Sequence, residues 1–253
     1  MTAVEVCLDD LDGIAIAEQA GADRVELCAS LADGGITPSI GTVAVALRAA
    51  TRIGVNVLIR QRPGDFVFSP AEVDAMVADI VAMRALPNPA GVTLAFVIGA
   101  LLPDGTIDAA ATRRMLDACG DAPVTFHKAF DQVPDLFAAL DQLIELGIAR
   151  VLTSAGAATA LEGAATLASL VAHARGRLSI LAGGGVRPAN VAELVGLTGV
   201  TEVHLRAGVA APSASSVAGG APTAYDSGIR MVTSAAVIRD LLDQLGRPSG
   251  VAA

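Results

Sequence analysis

Val4-Glu5-Val6-Cys7 and Val25-Glu26-Leu27-Cys28 are two versions of one pattern near the start of the chain. Each reads as a short strand with Glu and Cys two positions apart. Residues i and i+2 of a strand point to the same face. Glu5 therefore shares a face with Cys7, and Glu26 with Cys28. If the two strands are parallel neighbours, two thiols and two carboxylates gather at one end of one sheet. The residues between them, 11–20, read as an Ala-rich helix closed by Gly21, as a glycine just past a helix end would close it. Strand, helix, strand at this spacing is a parallel βα unit.

The unit recurs outward from this pair. Strands are expected at 55–60, 92–98, 124–127, 150–153, 178–181 and 201–205, and helices at 39–50, 69–84, 108–118, 134–146, 159–173, 188–195 and 234–245. Ser39 and Ser69 suit N-cap positions, and Pro70 the first helical turn. Eight short apolar strands alternating with eight helices close best as a (β/α)8 TIM barrel, with a doubly wound open sheet as the alternative. The chain reads as a single domain over 1–253. Residues 207–233 form a Gly-, Ala-, Ser- and Pro-rich stretch carrying Tyr225, expected to be a flexible loop between the last strand and the last helix.

A length of 253 residues and a hydrophobic content of 53% fit one large buried core. The net charge of -9 argues against nucleic-acid or membrane-surface partners. Three cysteines without paired spacing argue against a disulfide framework and for a reducing compartment. No basic-then-apolar leader is visible, and no apolar run reaches the roughly 20 residues of a membrane helix. The expectation is a soluble, cytoplasmic protein with no organic cofactor. Lys128 is the single lysine.

In such a barrel, chemistry sits at the C-terminal strand ends. Those ends offer Glu5 and Cys7; Glu26 and Cys28; Arg60, with Arg62 and Asp65 beyond it; His127, Lys128 and Asp131; Thr153 and Ser154; Gly183-Gly184-Gly185 with Arg187; and Glu202, His204 and Arg206. Buried charge is costly unless paired, so this set is more than core filler. Glu5, Glu26, His127 and Asp65 are candidate acid/base groups. Arg60, Arg62, Lys128, His204 and the three glycines are candidate anion binders, since glycines there expose backbone N–H groups. Lys128 also suits a Schiff base, although strand parity would turn it away from His127 unless the strand has ended. Two thiolates suit a soft ion such as Cu(I), while two small buried hydrophobes are the bland alternative. Cys119 reads as packing, and His173 as a helix-end residue.

Several stretches carry a family resemblance. They are Gly21-Ala-Asp-Arg-Val-Glu-Leu-Cys28, Gly34-Gly-Ile-Thr-Pro-Ser-Ile-Gly41, Ile59-Arg-Gln-Arg-Pro-Gly-Asp-Phe66 and Val124-Thr-Phe-His-Lys-Ala-Phe-Asp131. Arg150-Val-Leu-Thr-Ser154, Gly183-Gly-Gly-Val186 and Glu202-Val-His204 continue the match. In these the chain resembles the CutC family, described as copper homeostasis proteins. The resemblance implies a (β/α)8 barrel, a cytoplasmic homo-oligomer (dimer or tetramer) and Cu(I) binding at Cys7 and Cys28. The chain departs from the family at Gln61 and Pro63, at Lys128 where arginine is usual, and at Leu205-Arg206. Two other readings stay open. One is a barrel enzyme acting on a small anionic metabolite, and the other a non-catalytic scaffold plugged by its own ion pairs.

Overall fold

The computed structural model describes residues 1–213 and 227–247. Short strands rich in Val, Ile and Leu alternate with helices throughout. In chain order these are β1 (Ala3–Leu8), α1 (Asp12–Ala20), β2 (Arg24–Leu27), α2 (Ile40–Ala49), β3 (Gly54–Leu58), α3 (Pro70–Arg84), β4 (Leu94–Ile98) and α4 (Ala109–Cys119). Then follow β5 (Val124–Phe126), α5 (Leu136–Leu146), β6 (Arg150–Thr153), α6 (Ala164–Ala174), β7 (Ser179–Gly183), α7 (Pro188–Thr198) and β8 (Glu202–Arg206). A ribbon of β9 (Gly208–Pro212) and β10 (Ile229–Thr233) precedes α8 (Ala235–Gln244). β1 to β8 pair in parallel in sequence order, and β8 closes on β1. The barrel expected from the alternation is the observed fold.

Strand parity divides the core in two. Val4, Val6 and Leu8 of β1, with Val25 and Leu27 of β2, face outward into the main apolar core under the helices. Glu5, Cys7, Glu26 and Cys28 take the opposite parity and face the barrel interior, where Cys7 and Cys28 form a small cluster with Leu58 and Val97. The signals at the helix ends act as expected. Ser39 Oγ accepts from the Thr42 N–H, and Ser69 with Glu72 forms a reciprocal capping box. Gly21, at φ 100°, closes α1 in a left-handed conformation that costs glycine little.

Three differences bear on the site. β5 ends at Phe126, and Lys128–Gln132 form a 3-10 turn, so His127 and Lys128 are released from strand parity. α6 begins at Ala164, because residues after β6 first fold back on themselves. Gly163 makes that fold possible, since a Cβ there would lie 2.1 Å from the Ser154 carbonyl oxygen. The segment expected to be a flexible loop carries β9 and β10, paired antiparallel. Thr233 fastens this ribbon to the barrel through its Oγ1–H to Asp10, at 2.5 Å. Tyr225 lies outside the described residues. Among the described residues no helix is long and apolar enough to cross a membrane.

Candidate functional site

The lower barrel interior is an ion-pair floor. Glu5 Oε2 accepts from Arg24 Nε at 2.6 Å and from Asn56 Nδ2 at 2.7 Å, while Oε1 lies 2.7 Å from His204 Nδ1. Glu202 accepts from Arg24 and, at 2.8 Å, from Arg150 Nε. Burial alone would raise the Glu5 pKa, but the bond to His204 and the charge of Arg24 bring it down to about 2. Glu5 is thus a fixed anion under the site, held away from any ligand. Glu202 was expected among the strand-end groups, but it opens β8 and belongs to the floor. Arg24, Asn56 and Arg150 were absent from the expected set. Their signal is parity: Arg24 shares a face with Glu26 and Cys28 by the same two-residue step as the opening motif.

Above the floor the twin motif is staggered. Cα register sets Cys7 beside Glu26, and Glu5 beside Arg24. Cys28 therefore stands one step beyond Cys7 instead of level with it, as barrel shear requires. Cys7, Glu26 and His204 bring one ligand atom each to within 4.8 Å of one another. The Cys28 thiol acts as a hydrogen-bonding neighbour of Cys7 and, against the cost of burial, holds its pKa down to about 5, with His204 adding to the effect. Cys28 itself is pushed well above the usual thiol value by that interaction and by burial. Burial and the Cys7 charge push the Glu26 pKa well above the usual carboxylate value. His204 moves up despite burial, through its bonds to Cys7 and Glu5. The Cys7 sulfur is thus a buried thiolate among donors, suited to a soft cation.

These groups form one wall of a cavity of about 140 Å³ at the barrel mouth. The other wall holds Arg60, Phe66, His127 and Lys128, with Leu31, Leu58 and Leu152 between. His127 is buried, and its Nδ1 accepts from the Ala129 N–H at 3.1 Å. The ring proton therefore sits on Nε2, which has no partner among the described residues. Burial and the nearby Arg60 charge lower the His127 pKa to about 3, so the ring stays neutral. Gly99 makes room for it, since a Cβ there would lie 2.3 Å from His127 Cε1. Lys128 Nζ donates to Asp131 Oδ2 at 2.6 Å and to Ser154 Oγ at 2.8 Å.

Arg60 joins two loops. Its guanidinium donates to the carbonyls of Gly35 at 3.0 Å and Gly64 at 2.7 Å, and its backbone pairs with Thr37. Arg62 and Asp65, by contrast, are bound to each other at 3.0 Å on the exposed loop, where Arg62 also pairs with Glu72. Neither lines the cavity. Nor do Gly183, Gly184 and Gly185. Their missing side chains instead let Leu152, His204, Lys128 and Ser154 approach closely. The sequence thus brings Cys7, Glu26, Cys28, Arg60, His127, Lys128 and His204 together around one space. It leaves Glu5 beneath that space and Arg62, Asp65 and the glycines outside it. Away from the site, Cys119 is buried in packing and His173 pairs with Asp141 at 2.9 Å.

The CutC family profile matches residues 2–209. A CutC family protein of Mesorhizobium japonicum is 47% identical over 204 residues, spanning 81% of this chain and 77% of its own. Another, from Chromobacterium violaceum, is 40% identical over 248 residues, spanning 96% and 98%. Among solved structures, the CutC of Streptococcus agalactiae, a candidate copper homeostasis protein, is similar with a TM-score of 0.74 and 34% identity, over 81% of this chain and 98% of that one. A phosphoribosylanthranilate isomerase from Thermotoga maritima, at 12% identity and a TM-score of 0.56 over 97% and 99%, shares the fold alone.

Proposed function

Because this chain belongs to the CutC family, we propose that it is a copper homeostasis protein that holds Cu(I) as cargo between Cys7 and Cys28, with His204 as a nitrogen donor. One observation carries the reading: the Cys7 sulfur lies within 4.8 Å of the His204 and Glu26 ligand atoms, and Cys28 belongs to the same small packed cluster as Cys7. Two sulfurs and an imidazole match the softness and low coordination number that Cu(I) accepts. Binding displaces protons from Cys28 and His204, so affinity rises with pH. In competition with a chromophoric Cu(I) chelator under anaerobic conditions, Cys7→Ser is expected to lose roughly a hundredfold or more in affinity. Glu26→Gln stays within a few-fold of the parent. Unchanged affinity in both Cys7→Ser and Cys28→Ser removes the reading.

Acid/base chemistry on a small anionic metabolite is a second reading, favoured by Glu26, a buried carboxyl at the cavity wall whose pKa is raised by burial and the Cys7 charge. The scaffold reading fits the floor, but the open cavity above it counts against a purely structural barrel. Three free thiols suit a reducing compartment, and we place the protein in the cytoplasm. Val209, Ile229 and Met231 present exposed apolar surface on the ribbon, which supports a homo-oligomer built around it. Light scattering on purified protein is expected to give a dimer or larger assembly, and Met231→Glu to weaken it. A monomer at high concentration rejects this assignment.

A further inference from the structure

The wall opposite the sulfurs has donors that nothing among the described residues satisfies. Arg60 is only 7% exposed, yet among the described residues its guanidinium meets carbonyl oxygens and no carboxylate. A buried cation without a counter-ion is costly. Among the described residues its Nε–H has no partner, and neither has the Nε2–H of His127, which is 5% exposed. Both residues line the same cavity. The Phe66 ring lies 4.8 Å from the His127 ring and 4.8 Å from Arg60 Cζ, which fixes the two against one apolar plate. Lys128, on the same wall, has three donors and commits two of them, to Asp131 and Ser154. Among the described residues Glu26 is the single acidic residue of the lining, and it stands on the sulfur wall beside His204. With Lys128 paired to Asp131, Arg60 leaves this half of the mouth positive, and two buried N–H groups stand in its wall without a partner among the described residues.

We propose that this wall is a binding site for a small carboxylate, its two oxygens taken by Arg60 Nε–H and His127 Nε2–H, with Lys128 adding charge. Three features favour a carboxylate over a phosphate. Both terminal nitrogens of Arg60 are already occupied by Gly34, Gly35 and Gly64, so one edge of the guanidinium is left for the ligand. A neutral imidazole gives one hydrogen bond and no charge. The glycine run that would cradle a phosphate does not line the cavity. The cavity, at about 140 Å³, has room for a carboxylate with a short carbon body and opens at the barrel mouth. Leu31, Leu58 and Leu152 give that carbon body an apolar seat.

The proposal does not rest on copper binding, and the two are measured separately. Acetate and pyruvate serve as probes, titrated at constant ionic strength into protein labelled with nitrogen-15 at histidine. The His127 Nε2–H resonance is expected to shift saturably with both. Arg60→Met and His127→Phe are expected to weaken pyruvate binding by roughly tenfold to a hundredfold, read by calorimetry. Arg114→Gln, on an exposed pair far from the mouth, is expected to leave it unchanged. If Arg60→Met fails to fold, His127→Phe decides the question alone. The proposal is overturned if neither probe moves the His127 resonance at tens of millimolar. It is also overturned if inorganic phosphate or chloride competes as well as pyruvate, or if folded His127→Phe binds pyruvate as the parent does.

Discussion

Arg24→Met is expected to lower the free energy of unfolding by about 3–5 kcal/mol. Arg24 touches both floor carboxylates, with Nε at 2.6 Å from Glu5 and the guanidinium also on Glu202. Its side chain is 12% exposed and that of Glu5 is 1% exposed, so water does little to replace the lost partner. Removing the cation leaves a buried charge on Glu5 that Asn56 and His204 only partly hold. Urea unfolding at neutral pH measures the loss. Adding Glu5→Gln to Arg24→Met is expected to restore part of it, because the stranded charge goes too. A loss below about 1 kcal/mol would show the floor to be filler rather than a network.

The second large effect is acid sensitivity set by His127. Its folded pKa is near 3, against an ordinary value of 6.5. Below pH 6.5 the unfolded chain takes up a proton there that the folded protein refuses. The stability this residue gives is complete above pH 6.5 and is lost as pH falls toward 3. The slope approaches about 1.4 kcal/mol per pH unit, on the order of a few kcal/mol in all. Neighbouring groups need separating. Cys7, held down to about 5, has the same sign of slope between pH 5 and its unfolded value. Glu26, raised, has the opposite sign above pH 4.5 and offsets it. Glu5, near 2, acts only below about pH 4.5. His204, raised, is complete below 6.5 and adds no slope there. The difference between parent and His127→Phe therefore isolates the ring. Unfolding free energies from pH 7 to 5 should fall less steeply in the variant, and identical slopes would defeat the assignment.

The fold was legible because each strand repeats the same local evidence. Val4 and Val6 against Glu5 and Cys7 show which side meets the helices and which meets the barrel axis. Cys7, Glu26 and His204 at the mouth were legible for the same reason, whereas Arg60, His127 and Lys128 lie just past their strand ends, where position near the end of a strand and not parity points to them. What the sequence hid was height along the axis. Glu5 and Glu26 look equivalent in their motifs, yet register puts one beside Arg24 in the floor and the other beside Cys7 under the cavity. Stagger is a property of the closed sheet, and no single strand carries it. The glycine run misled in another way: glycine marks close approach, and here what approaches is Lys128 and Ser154 rather than a ligand. β9 escaped notice because Gly208-Val-Ala-Ala-Pro212 has little strand propensity. Its pairing with β10 supplies what composition lacks.

Arg60 ties the loop after β2, through Gly34 and Gly35, to the loop after β3, through Gly64. One side chain thereby acts as a clasp across two rim segments that the sequence keeps apart. Neither loop can lift without breaking bonds to the other's anchor, so the two open together as one cooperative unit.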